Sequence, residues 1–97
     1  MKSLNEIRKD LKQIRFYYAN QKDIERFSES VGENFIVNIV KQYNEAVCNA
    51  PIQLYYLYCC LYLNNNSQEV VAEDWSCSTT YIKKLNKSLC EFIQKKC

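Results

Sequence analysis

Apolar residues recur at alternating spacings of three and four from the start of the chain: Leu4, Ile7, Leu11, Ile14 and Tyr18. That period places them in one stripe on a helix of about four turns. Glu6, Arg8, Lys9, Asp10 and Lys12 fall largely off the stripe. Asn20 and Gln21 interrupt the pattern. Ile24, Phe27 and Val31 then continue an apolar face toward Gly32, which reads as a helix stop. Phe35, Ile36, Ile39, Val40, Tyr43 and Val47 mark a further helix, broken at Asn49-Ala50-Pro51. Pro51 suits the first position of the next helix, where its missing N–H loses no hydrogen bond.

From Ile52 to Leu63 only Gln53 is strongly polar. Apolar residues all round predict a helix buried on most sides, a central pillar. Tyr55, Tyr56, Tyr58 and Tyr62 bring large apolar area, and their hydroxyls require water or partners. Their tips are therefore expected at the surface; a tyrosine-rich surface for a partner is the alternative. Asn64-Asn65-Asn66 ends this helix, since Asn tolerates the left-handed conformation. Ser67 is placed to cap the next helix, with Val70 packing near it.

The stretch from Gln68 to Lys87 then reads as a helix-turn-helix. Two short helices crossing steeply over a tight turn need small or apolar residues at fixed places. Val71, Trp75, Cys77, Ile82 and Leu85 occupy the core-facing positions, and Ala72 sits where the helices come closest. Ser78 is a good N-cap for the second helix, with Cys77 and Ile82 as a small hydrophobic staple. Position 76 is Ser where many such turns use Gly to reach the left-handed conformation cheaply. The last helix is expected from about Thr79 to near Lys95. Tyr81, Ile82, Leu85, Leu89, Phe92 and Ile93 form its buried stripe, and Thr79, Thr80, Lys83, Lys84 and Lys87 lie on the other side.

The 97 residues predict one all-α domain of five or six helices with the helix-turn-helix C-terminal. A helical region at 1–50 serves packing or self-association, and 51–97 forms the helix-turn-helix module. One Gly and one Pro are too few for a turn-rich β fold, and 47% apolar residues is too many for a disordered chain. Net charge is only +2. Its distribution says more: Lys83, Lys84, Lys87, Lys95 and Lys96 face Glu91 alone in the last stretch, while Glu69, Glu73 and Asp74 precede them. A basic surface beside an acidic one suits a domain presenting one element to phosphate, although a solvated helix face has the same look.

The six cysteines stand at 48, 59, 60, 77, 90 and 97, with no C-x-x-C pair and no histidine. Met1–Asp10 is polar and charged, unlike a secretory signal. Free, mostly buried thiols in a reducing cytoplasm are expected, with no metal and no cofactor. The run Ile52–Leu63 is too short to span a membrane. An enzyme is the weakest class: no glycine-rich phosphate loop and no nucleophile–base pair is visible.

The segment from Tyr55 through Phe92 resembles region 4 of bacterial sigma factors. The matching parts are Leu61-Tyr62-Leu63 ending a long helix, Asn64–Asn66 as a short turn, and Glu69-Val70-Val71-Ala72 as the Glu-x-x-Ala core. Ser78 opens the recognition helix, and Asn65 stands where family members commonly have Gly. The whole chain resembles small late-gene transcription regulators of the RinA/ArpU type from prophages of Gram-positive bacteria. That resemblance implies sequence-specific DNA binding and control of phage or mobile-element genes. No counterpart of sigma region 2 is visible, so a complete sigma factor is not expected.

Two functions of different class remain. One is a cytoplasmic, DNA-binding transcription regulator. In it Ser78 caps the recognition helix, Thr79, Thr80 and Lys83 meet bases of double-stranded DNA, and Lys84 and Lys87 meet bases or phosphates. The other is a protein-interaction module that binds RNA polymerase or another regulator without reading DNA. Because one recognition helix reads few base pairs, a homodimer through Leu4, Ile7, Leu11 and Ile14 is expected; closing the monomer core is the competing use of that stripe.

Overall fold

The computed structural model describes residues 2–20 and 35–96. Among these residues the chain is all-helical, with no strand. The elements are α1 (Leu4–Ala19), α2 (Phe35–Val47), α3 (Ile52–Tyr58), a π-helical turn (Cys59–Leu63) that continues α3, α4 (Gln68–Asp74) and α5 (Thr79–Lys96). The expected apolar face of Ile24, Phe27 and Val31 and the stop at Gly32 lie outside the described residues.

α1 begins with a reciprocal cap. The Glu6 amide donates to Ser3 Oγ at 3.2 Å and the Ser3 amide donates to Glu6 Oε1 at 3.4 Å. Ile7, Leu11 and Ile14 are at most 1% exposed. The stripe ends on Tyr17, which is buried, and Tyr18 is only half-buried. A spacing of three from Ile14 keeps Tyr17 on the buried side, and the two rings meet edge-on with centroids 5.1 Å apart. The stripe is thus spent inside the single chain. It closes the monomer core, and pairing with a second copy through Ile7, Leu11 and Ile14 would require that core to open.

α2 turns Val40, Tyr43 and Val47 inward. The Tyr43 hydroxyl donates to Asp10 Oδ2 at 2.6 Å, and Lys2 Nζ reaches the same oxygen at 2.7 Å, so α1 and α2 are tied on one edge. Pro51 is the N-cap of α3 rather than its first helical residue (φ −50°, ψ 142°). Its carbonyl accepts from the amides of Leu54 and Tyr55. The one-residue shift leaves the reason for a proline unchanged, because the N-cap N–H also has no partner within the helix.

The expected pillar is real only in its second half. Leu54, Leu57, Tyr58 and Leu61 are buried, but Ile52 is 69%, Tyr55 39% and Tyr56 55% exposed. Those three share one face by their spacing of three and four, so the segment has an outer face that is apolar. The chain then widens: the Asn64 amide donates to Cys59 O, five residues back, at 2.9 Å. Tyr58 donates to Asn44 Oδ1 at 2.7 Å, and Asn44 Nδ2 donates to the Tyr18 hydroxyl at 3.1 Å. The Tyr62 hydroxyl donates to Asn86 Oδ1. Burial pushes the hydroxyls of Tyr58 and Tyr62 well above the ordinary tyrosine value. A single hydrophobic cluster runs through every element, from Ile7 on α1 to Ile93 on α5.

Candidate nucleic-acid interface

α4 and α5 form a corner whose geometry is set by capping and by two left-handed residues. Ser67 Oγ accepts from the Val70 amide at 3.2 Å and starts α4. Just before it, Asn65 has φ 59°. The Asn66 amide reaches back to Cys60 O at 3.0 Å, closing the end of the π-helical turn. Arg15 of α1 grips this turn: Nε donates to Asn65 Oδ1 at 3.1 Å and Nη2 to Asn65 O at 3.3 Å.

α4 ends in a Schellman motif. The Cys77 amide donates to Ala72 O at 2.9 Å and the Ser76 amide to Glu73 O at 3.1 Å. Ser76 takes the left-handed position with φ 54°. That conformation costs a non-glycine residue roughly 1–2 kcal/mol. Val71 and Ala72 are buried beneath the corner, and Trp75 and Cys77 are half-buried against the core. Ser78 Oγ then accepts from the Tyr81 amide at 3.1 Å, and α5 starts at Thr79 as expected, ending at Lys96.

The two sides of α5 differ sharply. Ile82, Leu89, Cys90 and Ile93 are completely buried, with Leu85 and Phe92 half-buried beside them. Thr80, Lys83, Lys84 and Lys87 are all exposed. They stand at positions i, i+3, i+4 and i+7, which is one helix face. None of the three lysines makes an ion pair with a described residue. Thr79 sits half-buried at the edge of that face, and Ser78 is exposed with its hydroxyl engaged in the cap. Glu91 extends the same face and ends the basic run, while Lys96 lies over the Phe92 ring, 5.6 Å from its centroid.

Three apolar residues are placed otherwise than the pattern suggests. Tyr81 is 42% exposed rather than in the buried stripe, and its hydroxyl accepts from Gln53 Nε2 at 3.0 Å. Val70 is 42% exposed. Cys90, which the stripe omitted, is fully buried. Its position at i+1 from Leu89 and i−3 from Ile93 puts it on the inner side of the helix.

Other chemistry is sparse among the described residues. Cys48, Cys59, Cys60, Cys77 and Cys90 are free thiols, but they are not mostly buried as expected: Cys90 alone is buried, Cys59, Cys60 and Cys77 are half-buried, and Cys48, just past the end of α2, is exposed. No group of three or more His, Cys, Asp or Glu side chains is gathered there to hold a metal. Burial holds the Cys60 and Cys90 thiols above their ordinary value, which disfavours the nucleophilic thiolate. No described helix is long and apolar enough to cross a membrane. Set against protein-family models, curated proteins and solved structures, the chain matches none of them.

Proposed function

We propose that this chain is a sequence-specific DNA-binding transcription regulator that lays α5 in the major groove. In this reading the α4–α5 corner is a helix-turn-helix resembling region 4 of sigma factors. The chain is then a phage or prophage regulator of the RinA/ArpU type. The observation that carries the proposal is the two-sidedness of α5. One face is fully committed to the core, and the other offers Thr80, Lys83, Lys84 and Lys87 without an ion-pair partner among the described residues.

The roles follow from position. Ser78 fixes the start of α5 by its cap. Thr80 and Lys83, with Thr79 at the edge, stand in the first turns, where a recognition helix meets base edges. Lys84 and Lys87 donate to guanine edges or to phosphates. Selection of bound sequences from a random duplex pool, with binding repeated at two salt concentrations, tests the reading. A shared motif and a steep fall of affinity with salt are expected. Recovery of no motif and no salt-dependent binding would overturn it.

The second reading is a module that binds RNA polymerase or another regulator. It draws on the outward apolar face of Ile52, Tyr55 and Tyr56, since aromatic residues are favoured at the centres of interfaces. It predicts partner capture that is lost on Ile52→Ser/Tyr56→Ser and unaffected by changes at Lys83, Lys84 and Lys87.

A further inference from the structure

We propose that the edge of α1 bearing Arg8 and Lys12 is a second nucleic-acid surface, which grips the phosphodiester backbone of the same DNA duplex that α5 reads. The proposal rests on the reading of α5 as the DNA-facing helix.

α1 lies along α5 and runs antiparallel to it. At one end Gln94 Nε2 donates to Lys2 O at 3.0 Å. In the middle the Arg8 guanidinium sits beside the Cys90 thiol and opposes the effect of its burial. At the other end Arg15 holds Asn65, while the neighbouring Tyr62 hydroxyl donates to Asn86 of α5. The guanidiniums of Arg8 and Arg15 both favour ionisation of that hydroxyl, though burial outweighs them. Passing up α1 is therefore passing down α5.

The charged residues fall into rows on either side of this seam. Arg8, Lys12 and Arg15 stand at i, i+4 and i+7, one edge of α1. Asp10 lies on the other edge, where Lys2 and Tyr43 occupy its carboxylate. On α5 the residues turned toward α1 are Cys90, beside Arg8, and Gln94, bonded to Lys2 O; they stand seven positions after Lys83 and Lys87 respectively. Lys83 and Lys87 thus border the seam from one side, and Arg8 and Lys12 border it from the other. Both Arg8 and Lys12 are exposed and make no ion pair with a described residue. Arg15 is half-buried and committed to Asn65, so it serves as a strut.

Two rows of cations on one seam match a polyanion better than any single row. Contacts to phosphate carry no sequence information, but they fix the register of a helix in the groove. A lone recognition helix needs such contacts, since it touches few base pairs. Arg suits the task because its planar fork pairs with phosphate oxygens.

The test compares four proteins on a selected duplex and an unrelated duplex across a salt titration. They are the parent, Arg8→Gln/Lys12→Gln, Lys12→Gln alone, and a control with the same single charge change, Lys41→Gln. Lys41 is exposed and lies on α2, away from this edge. Circular dichroism confirms the helix content of each. The double variant should weaken on both duplexes by similar factors, and its slope of log affinity against log salt should fall by about 2. Lys12→Gln alone, at an exposed position, should lower the slope by about 1. The control should keep the parent's slope. An unchanged slope in the double variant and in Lys12→Gln, or an equal fall in the control, overturns the second surface while leaving α5 as the DNA helix. A parent that binds neither duplex overturns both.

Discussion

The two turns that bracket α4 meet the same backbone demand by different means. Each places a non-glycine residue in the left-handed region, Asn65 at φ 59° and Ser76 at φ 54°. Asn65 is held from outside: Arg15, fifty positions earlier in the chain, donates to both its side chain and its carbonyl. Ser76 has only local hydrogen bonds around it, the pair from the Ser76 and Cys77 amides to Glu73 and Ala72. The entry to α4 is therefore clamped by hydrogen bonds from α1, whereas the exit is hydrogen-bonded only to α4 and meets the core through the apolar packing of Trp75 and Cys77. Perturbing the two turns should give unequal results.

The broadest perturbation is alkaline pH, because it strikes buried groups behind the clamped turn. Tyr58 and Tyr62 are raised in the folded state, first by burial. Their neutral forms are favoured by folding, so their contribution is complete below the unfolded tyrosine value of about 10 and is lost as pH climbs above it. Tyrosinate absorbance and helicity recorded together should show these residues ionising only as the helices melt. Ionisation of every tyrosine near pH 10 with helicity intact would contradict the burial. Next in size is Asn65→Ala, which removes the Oδ1 acceptor for Arg15 and leaves at a left-handed position an alanine, which lacks the polar side chain that makes that conformation tolerable for asparagine. A loss on the order of 2–3 kcal/mol in a denaturant melt is expected. A double-mutant cycle with Arg15→Ala should return a coupling of about 1 kcal/mol, and additive losses would show that the grip contributes nothing.

The caps come third. Ser67→Ala and Ser78→Ala should each cost about 1 kcal/mol by removing the acceptor for Val70 and Tyr81 amides. Smallest, and opposite in sign, is Ser76→Gly. Its side chain accepts nothing at the turn, so relief of the left-handed penalty should raise stability by up to about 1 kcal/mol. Destabilisation by this change would mean that the serine contributes more than backbone geometry.

What the sequence showed in advance divides along the same line. The caps at Ser67 and Ser78, the strained Ser76 and the inward Ile7, Leu11 and Ile14 all follow from spacing and local chemistry within one turn or two. The lysine face of α5 was visible for the same reason, since i, i+3, i+4 and i+7 define a face without any knowledge of neighbours. What escaped depends on distant partners. No local signal links Arg15 to Asn65. Ile52 is apolar, so hydropathy assigns it to the core, and a tyrosine-rich surface was only the alternative reading of Tyr55 and Tyr56, yet all three are exposed. The stripe of α1 was read correctly as apolar, but whether it faced a second copy or its own chain depended on where α2, α3 and α5 lie. The π-helical turn carries neither Gly nor Pro, and its sequence would suit an α-helix equally well. That α5's lysines lack ion-pair partners among the described residues is likewise a property of the assembled fold.

In the proposed function the outer face of α5 contacts DNA. Its most direct test is the salt dependence of duplex binding by the parent and by Lys83→Ala/Lys84→Ala/Lys87→Ala, with helicity checked to be unchanged. Weaker binding at low salt is expected, with a slope of log affinity against log salt reduced by up to about 3, one for each phosphate contact removed. A triple variant that binds DNA with the parent's affinity and slope would contradict it.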